Sequence, residues 1–198
     1  MRLILLIIFT ALAFAAASMY WLDLPMREFA LSGDSNFWHL VSLAGKSGWM
    51  LISSLLAAAL FAWRKQVRQR NAAWFIFGSV ALSGIAVQIL KGIIGRARPT
   101  LFDAVGAYDF QPLTFARDHA SMPSGHATSA FALAVSVAIV QPALRGPAAL
   151  FAVLVSYSRL PEGMHYLSDI TLGAALGSAT ALLLAKYLTD RNIPFSRR

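Results

Sequence analysis

The sequence predicts an all-α, polytopic membrane protein in which six transmembrane helices form one bundle. The first observation behind this prediction is composition, since 58% of the 198 residues are apolar and only 13% are charged. Soluble domains have about 45–50% apolar and about 25% charged residues. The second is that the apolar residues are gathered into six stretches without a charge. The length predicts a single domain over residues 1–198, with no separate polar domain.

The charge-free stretches mark the predicted spans, because about 20 apolar residues cross a bilayer as a helix and fewer suffice where flanking residues reach the interface. In chain order they are Leu3–Leu22, Ser47–Trp63, Asn71–Leu90, Ala127–Leu144, Gly146–Ser158 and Ile170–Ala185. The first four contain 17 to 20 residues, the fifth contains 13 and the sixth 16. The last two therefore need neighbouring apolar residues, such as Leu160 and Tyr166, to complete a crossing.

The distribution of basic residues predicts the orientation of the bundle. Four of them, Arg64, Lys65, Arg68 and Arg70, lie between the second and third stretches, and basic short loops stay on the cytoplasmic side. Alternating from this loop, the cytoplasmic segments hold ten basic residues and one acidic residue, whereas the opposite segments hold seven and eight. Both termini are then cytoplasmic. The net charge of +8 thus orients the protein and does not indicate a nucleic-acid partner.

The first stretch allows a second interpretation. Arg2, the apolar run after it and the small residues Ala15–Ser18 also fit a cleavable signal peptide. A retained helix and a removed segment both stay open, and either leaves the basic loop on the cytoplasmic side.

Two long segments, 23–46 and 96–123, are predicted on the outer side. Phe37 and Trp38 in the first are typical of interfacial anchors and indicate a short helix lying on the membrane. Several polar residues of these segments fit a solvated loop and no motif; they are His39, Asp103, Asp109, Asp118 and His119. Glu162 has no role assigned, although it could contact a substrate headgroup.

The first of three candidate functional segments runs from Lys91 to Pro99. Ionisable residues near membrane depth are costly and are functional candidates by default. Pro99 disfavours helix at Arg98, so Lys91 and Arg98 would lie at a helix end, where cations reach a headgroup. The alternative is a pair of interfacial residues whose charged ends extend to water.

The second candidate segment, Ser121–His126, leads directly into the fourth apolar stretch. Its proline and serine indicate a helix start, whose free N–H groups and positive dipole end attract anions. Gly125 would let an anion approach the backbone, and His126 beside it could donate or accept a proton. The alternative is an ordinary capped helix with an interfacial histidine.

The third candidate segment is Ser158–Asp169. On a helix His165 and Asp169 would meet side by side, and the carboxylate would fix the imidazole tautomer and raise its basicity. Such a histidine can act as a nucleophile. Arg159 suits a phosphate, because its guanidinium is always charged and fork-shaped. The alternative is a structural His–Asp pair.

All three segments fall at the outer ends of predicted helices three to six, so they can converge on one site. Together they would supply three cations, a helix N-terminus, two histidines and a carboxylate. Phosphoryl transfer fits this set, because it depends mainly on positioning and charge neutralisation. We expect no metal ion or other cofactor. These cations can neutralise a phosphate as Mg²⁺ does in other enzymes. The chain also has no cysteine and no cluster of carboxylates or histidines at the spacing of metal ligands.

These segments resemble the type 2 phosphatidic acid phosphatase family, integral-membrane lipid phosphatases that share a phosphate pocket with vanadium haloperoxidases. The family motifs are Lys-x6-Arg-Pro, Pro-Ser-Gly-His and Ser-Arg-x5-His-x3-Asp. All three occur complete and in this order, beginning at Lys91, Pro123 and Ser158. One departure is Met122, where a phenylalanine often precedes the second motif, and we expect it to affect packing only.

The resemblance implies a metal-independent mechanism in which His165 attacks phosphorus to form a phosphohistidine. It implies that Asp169 orients His165, that His126 protonates the leaving oxygen and that water then hydrolyses the intermediate. The residues that would bind the substrate phosphate are Lys91, Arg98, Ser124, Gly125 and Arg159. The expected site lies on the non-cytoplasmic face of a bacterial inner membrane, and the lipid tail would enter sideways between helices.

The motifs specify a phosphate and leave the lipid open. Phosphatidic acid, phosphatidylglycerol phosphate, isoprenyl diphosphates and lipid A all fit, and the lack of an inserted outer domain favours, by analogy alone, an isoprenyl-diphosphate or general lipid phosphatase. Two other functions stay open. One is vanadate-dependent peroxide chemistry in the same pocket, against which the apolar composition argues. The other is a non-enzymatic protein that binds or moves an anionic lipid.

Overall fold

The structure, a computed structural model, describes residues 1–31 and 35–196. The α-helices are α1 (Arg2–Trp21), α2 (Asp23–Leu31), α3 (Ser35–Leu43), α4 (Ser47–Trp63), α5 (Val67–Ile94), α6 (Phe102–Val105), α7 (Gly125–Val140), α8 (Arg145–Tyr157) and α9 (Leu167–Asp190). Within the described ranges no strand forms, and one isolated bridge joins Arg96 to Phe110. The all-α prediction is therefore confirmed there. Asp34, Arg197 and Arg198, which enter the predicted charge distribution, lie outside the described residues.

Each predicted charge-free stretch corresponds to a helix. In chain order the stretches match α1, α4, α5, α7, α8 and α9. The helices α5 and α9 extend beyond their stretches, so that Arg68 and Arg70 lie near the start of α5 and Lys91 in its last turn. A rule based on charge-free length finds the apolar middle of a helix, whereas the helix itself continues through charged residues near its ends.

Four helical segments are long and apolar enough to cross a membrane, counted over the described residues. They are Arg2–Trp21, Asn36–Trp63, Val67–Ile94 and Leu167–Asp190. The helices α7 and α8 are apolar but shorter, with 16 and 13 residues. Six crossings therefore remain a prediction. Among the long segments, α9 is the most buried. In α9, 39% of the most apolar 18 residues are buried, compared with 17% in α1.

The closest helix packing joins α7 to α9. A Cβ atom on Gly177 of α9 would lie 2.1 Å from the carbonyl oxygen of Thr128, and one on Gly173 would lie 2.5 Å from that of Ser124. Small residues four apart let two helix backbones approach in this way. At the outer end, the Ser124 amide donates a hydrogen bond to the carbonyl oxygen of Asp169 (2.9 Å). The contact thus fixes the second motif against the third.

The first outer segment contains two helices, α2 and α3. The predicted short helix is confirmed as α3, which carries Phe37 and Trp38. Trp38 packs edge-on against Tyr157 at 4.7 Å between ring centroids, so it is a packing residue as well as a candidate anchor. The helix α2 was not predicted from the sequence, because its composition mixes charged and apolar residues.

Candidate active site

The three motif segments meet around one cavity of about 1070 Å³, the site cavity. Six of the eight predicted site residues line it, namely Lys91, Arg98, Gly125, His126, Arg159 and His165. The other two, Ser124 and Asp169, are buried behind its wall. The structure therefore brings together residues that are up to 74 positions apart between Lys91 and His165.

The turn after α5 brings Arg98 back beside Lys91. Gly95 ends the helix with a left-handed backbone (φ +60°), and a Cβ atom there would lie 1.8 Å from the carbonyl oxygen of Gln111, so only glycine fits. Arg98 follows in extended conformation, as the following proline predicts. The carbonyl oxygen of Ala120 accepts hydrogen bonds from Lys91 Nζ (2.7 Å) and Arg98 Nη2 (3.4 Å). One carbonyl group thus holds both cations.

The site cavity is strongly cationic. Its lining residues include five basic side chains and, within the described parts of the chain, neither Asp nor Glu. The basic residues are Lys46, Lys91, Arg98, Arg117 and Arg159. Burial and the charges of Arg159 and Arg117 lower the pKa of Arg98, which nevertheless stays charged because a guanidinium titrates far above neutrality. Binding of an anion between these basic side chains would relieve the repulsion among them.

Glu162 holds the Arg159 side chain in place. The two side chains form an ion pair, and the Glu162 carboxylate also contacts His39 Nδ1 (2.8 Å) and accepts a hydrogen bond from Ser42 Oγ (2.9 Å). Burial lowers the pKa of Arg159, and Glu162 opposes this effect. The prediction that His39 lies in a loop is wrong, since His39 lies in α3 and contacts Glu162. The predicted exposure is confirmed, because 64% of the His39 side chain is exposed. Glu162 does not line the cavity.

The second motif starts α7, as predicted. The helix begins at Gly125 with Ser124 at the N-cap, but the Ser124 hydroxyl is buried and makes no hydrogen bond. A Cβ atom on Gly125 would lie 4.0 Å from Lys91 Cε, so the first turn of α7 begins beside this cation. Gly45 packs on the other side, where a Cβ atom would lie 2.6 Å from Cδ2 of His126. The backbone of the α3–α4 turn therefore packs closely against the His126 ring.

His165 and Asp169 are neighbours, although His165 is not helical. Their closest atoms, Nδ1 and Oδ2, are 3.8 Å apart. The prediction that both lie on one helix is wrong, because α9 begins at Leu167 and Asp169 caps it by accepting a hydrogen bond from the Tyr166 amide (2.8 Å). The four-residue spacing still brings the side chains together across the helix start.

The environment of His165 keeps its imidazole neutral. The residue is 4% exposed, and burial lowers its pKa to about 4, with Asp169 opposing the shift and Lys91 adding to it. A neutral imidazole has a free lone pair for nucleophilic attack. At 3.8 Å the contact with Asp169 is longer than a hydrogen bond, and such contacts shorten when many enzymes bind substrate.

The Asp169 carboxylate is held by residues that the sequence analysis missed. Its Oδ1 accepts a hydrogen bond from Arg96 (2.8 Å), and its Oδ2 accepts one from the Ser121 hydroxyl (2.6 Å). Arg96 also pairs with Asp23 at 2.9 Å, and no part of either side chain is exposed. In the sequence Arg96 and Asp23 stand out only as charges beside apolar stretches, and no spacing rule relates residues 73 positions apart.

The remaining polar residues of the second outer segment lie outside the site. Asp103 and Asp118 are exposed, as expected for a solvated loop. Asp109 and His119 instead form a pair at 2.8 Å, with side chains 27% and 12% exposed. Across the described chain, no group of three or more His, Asp and Glu side chains could hold a metal ion. Metal independence stays a prediction that chelation can test.

Comparison with known proteins agrees with these motifs. The sequence model of the PAP2 superfamily matches residues 72–193, more than half of the chain. The chain belongs to the PAP2 superfamily. This PAP2 protein is 30% identical over 190 residues to lipid A 1-phosphatase of Rhizobium johnstonii. The aligned region covers 90% of this chain and 78% of that relative.

Two crystal structures share the fold of this PAP2 protein. One is the PAP2-type phosphatidylglycerolphosphate phosphatase of Bacillus subtilis, with a TM-score of 0.73, 22% identity and 98% of both chains covered. The other is LpxE of Aquifex aeolicus, with a TM-score of 0.64, 23% identity, and 84% of this chain and 96% of that chain covered.

Proposed function

We propose that this PAP2 protein is a membrane-embedded lipid phosphatase that hydrolyses a phosphate monoester or diphosphate carried by a lipid. The observation that carries the proposal is one cavity in which two histidines stand among five cations. Phosphoryl transfer needs a nucleophile, a proton donor and neutralisation of the phosphoryl oxygens, and the cavity supplies each of them.

The cationic end of the site cavity suits a phosphate dianion. Lys91 and Arg159 are buried and Arg98 is half-buried. All three are held by carbonyl or carboxylate groups, so they need little reorganisation when an anion binds. Gly125 adds the free N–H groups at the start of α7. Removing one such preorganised donor costs about 10²- to 10³-fold in kcat in other enzymes.

The other end of the site cavity suits an apolar tail. It runs between α4 and α5, where Gly48, Leu51, Val80 and Gly84 line it; we name this part the tail groove. A Cβ atom on Gly48 or Gly84 would meet nothing within 4 Å, so both glycines border open space. A cationic pocket joined to an apolar groove between membrane helices fits a phosphorylated lipid better than a water-soluble phosphate.

In the first step the Nε2 lone pair of His165 attacks phosphorus. The P–N bond forms as the bond from phosphorus to the lipid oxygen breaks, and His126 gives a proton to that oxygen. Burial and the neighbouring cations lower the pKa of His126 to about 3, so His126 takes up this proton from water only when the bound phosphate dianion offsets their charge. The imidazole, which keeps its Nδ1 proton, becomes positively charged, and Asp169 stabilises this charge. In the second step His126 takes a proton from water, whose oxygen attacks phosphorus. The P–N bond breaks, phosphate leaves and His165 returns to its neutral form.

The proposal is tested by phosphate release from purified protein in detergent. The substrates are phosphatidic acid, phosphatidylglycerol phosphate, undecaprenyl diphosphate and lipid A, each assayed with and without EDTA. We expect release from at least one lipid, no effect of EDTA and a loss of roughly a thousandfold or more in His165→Gln, as for other residues of a catalytic unit. His119→Gln is the matched control, since His119 lies outside the cavity, and it keeps activity within about threefold.

Each alternative function gives its own result. Loss of activity with EDTA or an active His165→Gln variant contradicts the phosphohistidine mechanism. Binding of a lipid phosphate without any release favours the non-enzymatic lipid-binding protein. Halogenation that requires peroxide and added vanadate favours chemistry of the haloperoxidase kind.

A further inference from the structure

Behind His165, three ionised side chains form a continuous network, the buried triad, made of Asp23, Arg96 and Asp169. Arg96 Nη2 lies 2.9 Å from Asp23 Oδ2, and Arg96 Nη1 lies 2.8 Å from Asp169 Oδ1. None of the three side chains has any exposed surface. The triad connects the first residue of α2 to the first turn of α9 through the loop after α5.

Neighbouring groups fix the geometry of the buried triad. The Ser168 hydroxyl accepts a hydrogen bond from Arg96 (2.7 Å) and donates one to Asp23 Oδ2 (2.6 Å), while the Ser168 amide donates to Asp23 Oδ1 (2.9 Å). The guanidinium of Arg96 lies over the Tyr166 ring, 4.1 Å from its centroid. These contacts hold Arg96 in place, and Arg96 in turn holds the Asp169 carboxylate.

The buried triad carries one net negative charge, because two carboxylates share one guanidinium. Burial alone would lower the pKa of Arg96, but Asp169 and Asp23 outweigh burial and raise it. Excess buried charge is costly, and apolar residues of similar size would stabilise the fold as well or better. Stability alone therefore gives little reason for this arrangement. The nearest group that gains positive charge in the proposed reaction is His165.

The charge of Asp23 matters because Arg96 would otherwise neutralise Asp169. A neutral Arg96–Asp169 pair would give little stabilisation to a cationic imidazole. The charged groups that face His165 from the other elements are the cations Lys91, Arg98 and Arg159 and the second histidine, His126. Against these cations, the net negative charge of the triad is what favours the positive form of His165.

We propose that Asp23 and Arg96 are positioning residues of the catalytic centre. Arg96 holds the Asp169 carboxylate against His165, and Asp23 balances the charge of Arg96 so that Asp169 still stabilises the phosphorylated imidazole. This inference rests on the proposed lipid phosphatase function. It makes α2, which precedes the family motifs in the chain, part of the catalytic machinery.

The test compares native protein with Asp23→Asn, which keeps the size of the side chain and removes its charge. We expect kcat for lipid phosphate hydrolysis to fall roughly 10- to 100-fold, as for other buried groups that hold a catalytic ligand in place. KM stays within about threefold, because the phosphate-binding cations are untouched. In the pH profile of kcat/KM, the fall at acid pH moves to lower pH, because removing a negative charge lowers the pKa of His165. The control is Asp103→Asn, a carboxylate whose side chain is 95% exposed.

A second variant separates orientation from charge. Arg96→Lys keeps the positive charge but loses the guanidinium that contacts both carboxylates. We therefore expect kcat to fall, while the acid side of the pH profile of kcat/KM stays unchanged. Native kcat in both variants, measured on the folded fraction, would overturn the proposal. A loss of thermal stability without a change in kcat or in the pH profile would assign the triad to folding alone.

Histidine NMR titration gives a readout that does not need activity. Asp23→Asn should lower the titration midpoint of His165, and an unchanged midpoint would overturn the electrostatic coupling. If native protein hydrolyses none of the lipid phosphates, the proposed function fails while this titration still tests the coupling. If native protein is active and Asp23→Asn equals it in kcat, pH profile and midpoint, only the positioning proposal fails.

Discussion

At the scale of single residues, the site depends on how charges are enclosed. His165 is almost fully buried; it lines the site cavity together with Lys91, Arg98 and Arg159, and its ring lies 3.8 Å from the carboxylate of Asp169. Its neutrality at physiological pH follows from burial, and its ability to become positive during the reaction follows from Asp169. The two effects act on different stages of the proposed reaction and do not conflict.

The lowered pKa of His165 predicts a pH dependence of stability. In the unfolded chain a histidine titrates near 6.5, whereas folded His165 titrates near 4. Between these values the unfolded state binds a proton that the folded state does not, so stability falls as pH falls. At pH 5 the effect is roughly 2 kcal/mol.

This dependence can be measured by thermal unfolding in detergent from pH 7 to pH 5. The variant His165→Asn lacks the titrating group, so it should lose less stability than native protein over this range. Parallel losses in the two proteins would contradict the burial argument.

At the residue scale, the sequence could suggest a shared site only for residues related by a short spacing, and six of them line one cavity. The motif residues were found because each motif spans at most twelve residues and combines residue types suited to phosphate. Spacing could not reveal that Asp23 pairs with Arg96 or that His39 contacts Glu162, 123 positions away. Such contacts depend on how helices pack, which a single sequence does not show.

At the scale of elements, two features of the helices position the site. The contact between α7 and α9 sets the second motif against the third, and the gap between α4 and α5 forms the tail groove. The apolar stretches predicted the helices of both features. Their pairing was not predicted, because it depends on small residues at particular positions rather than on hydropathy.

Substitution of Gly177 tests the contact between α7 and α9. In Gly177→Ala the new methyl group would lie 2.1 Å from the Thr128 carbonyl oxygen, so the helices must separate. We expect a cost of about 1–3 kcal/mol in stability and a clear loss of phosphate release, because Asp169 moves relative to His126. The matched control is Gly146→Ala on α8, where a Cβ atom meets nothing within 4 Å. Equal stability and activity in both variants would contradict the packing argument.

Substitution of Gly84 tests the tail groove. The side chain in Gly84→Leu would fill open space that we assign to the lipid tail. We expect kcat/KM to fall roughly tenfold or more for a long-chain lipid phosphate and to change little for a short-chain analogue, because one blocked apolar subsite costs about 1–3 kcal/mol. The control Gly146→Leu should affect neither substrate. An equal loss on both substrates would place Gly84 outside a tail-binding groove.

At the scale of the whole molecule, the charge asymmetry predicts that the site faces away from the cytoplasm. Four segments are long enough to cross a membrane, and α7 and α8 are shorter. Helices of 16 and 13 residues can cross only where the polar site and flanking residues shorten the apolar path. Sequence hydropathy therefore predicts the helices well and the number of crossings less directly.

Single cysteines test this orientation, and the chain has no native cysteine to interfere. In intact cells, an impermeant maleimide should label Asp103→Cys on the predicted outer side. It should label Gln66→Cys, in the basic loop, only after lysis. Both positions are exposed. The reverse pattern would overturn the orientation.

Trapping the phosphorylated enzyme tests the phosphohistidine mechanism directly. Native protein is mixed with ³²P-labelled lipid phosphate, quenched in base within milliseconds and digested into peptides. We expect a label that is stable in base, lost in acid and located on the peptide containing His165, with none in His165→Ala. An active native enzyme that carries no label on this peptide, or a His165→Ala variant that still releases phosphate, would contradict this mechanism.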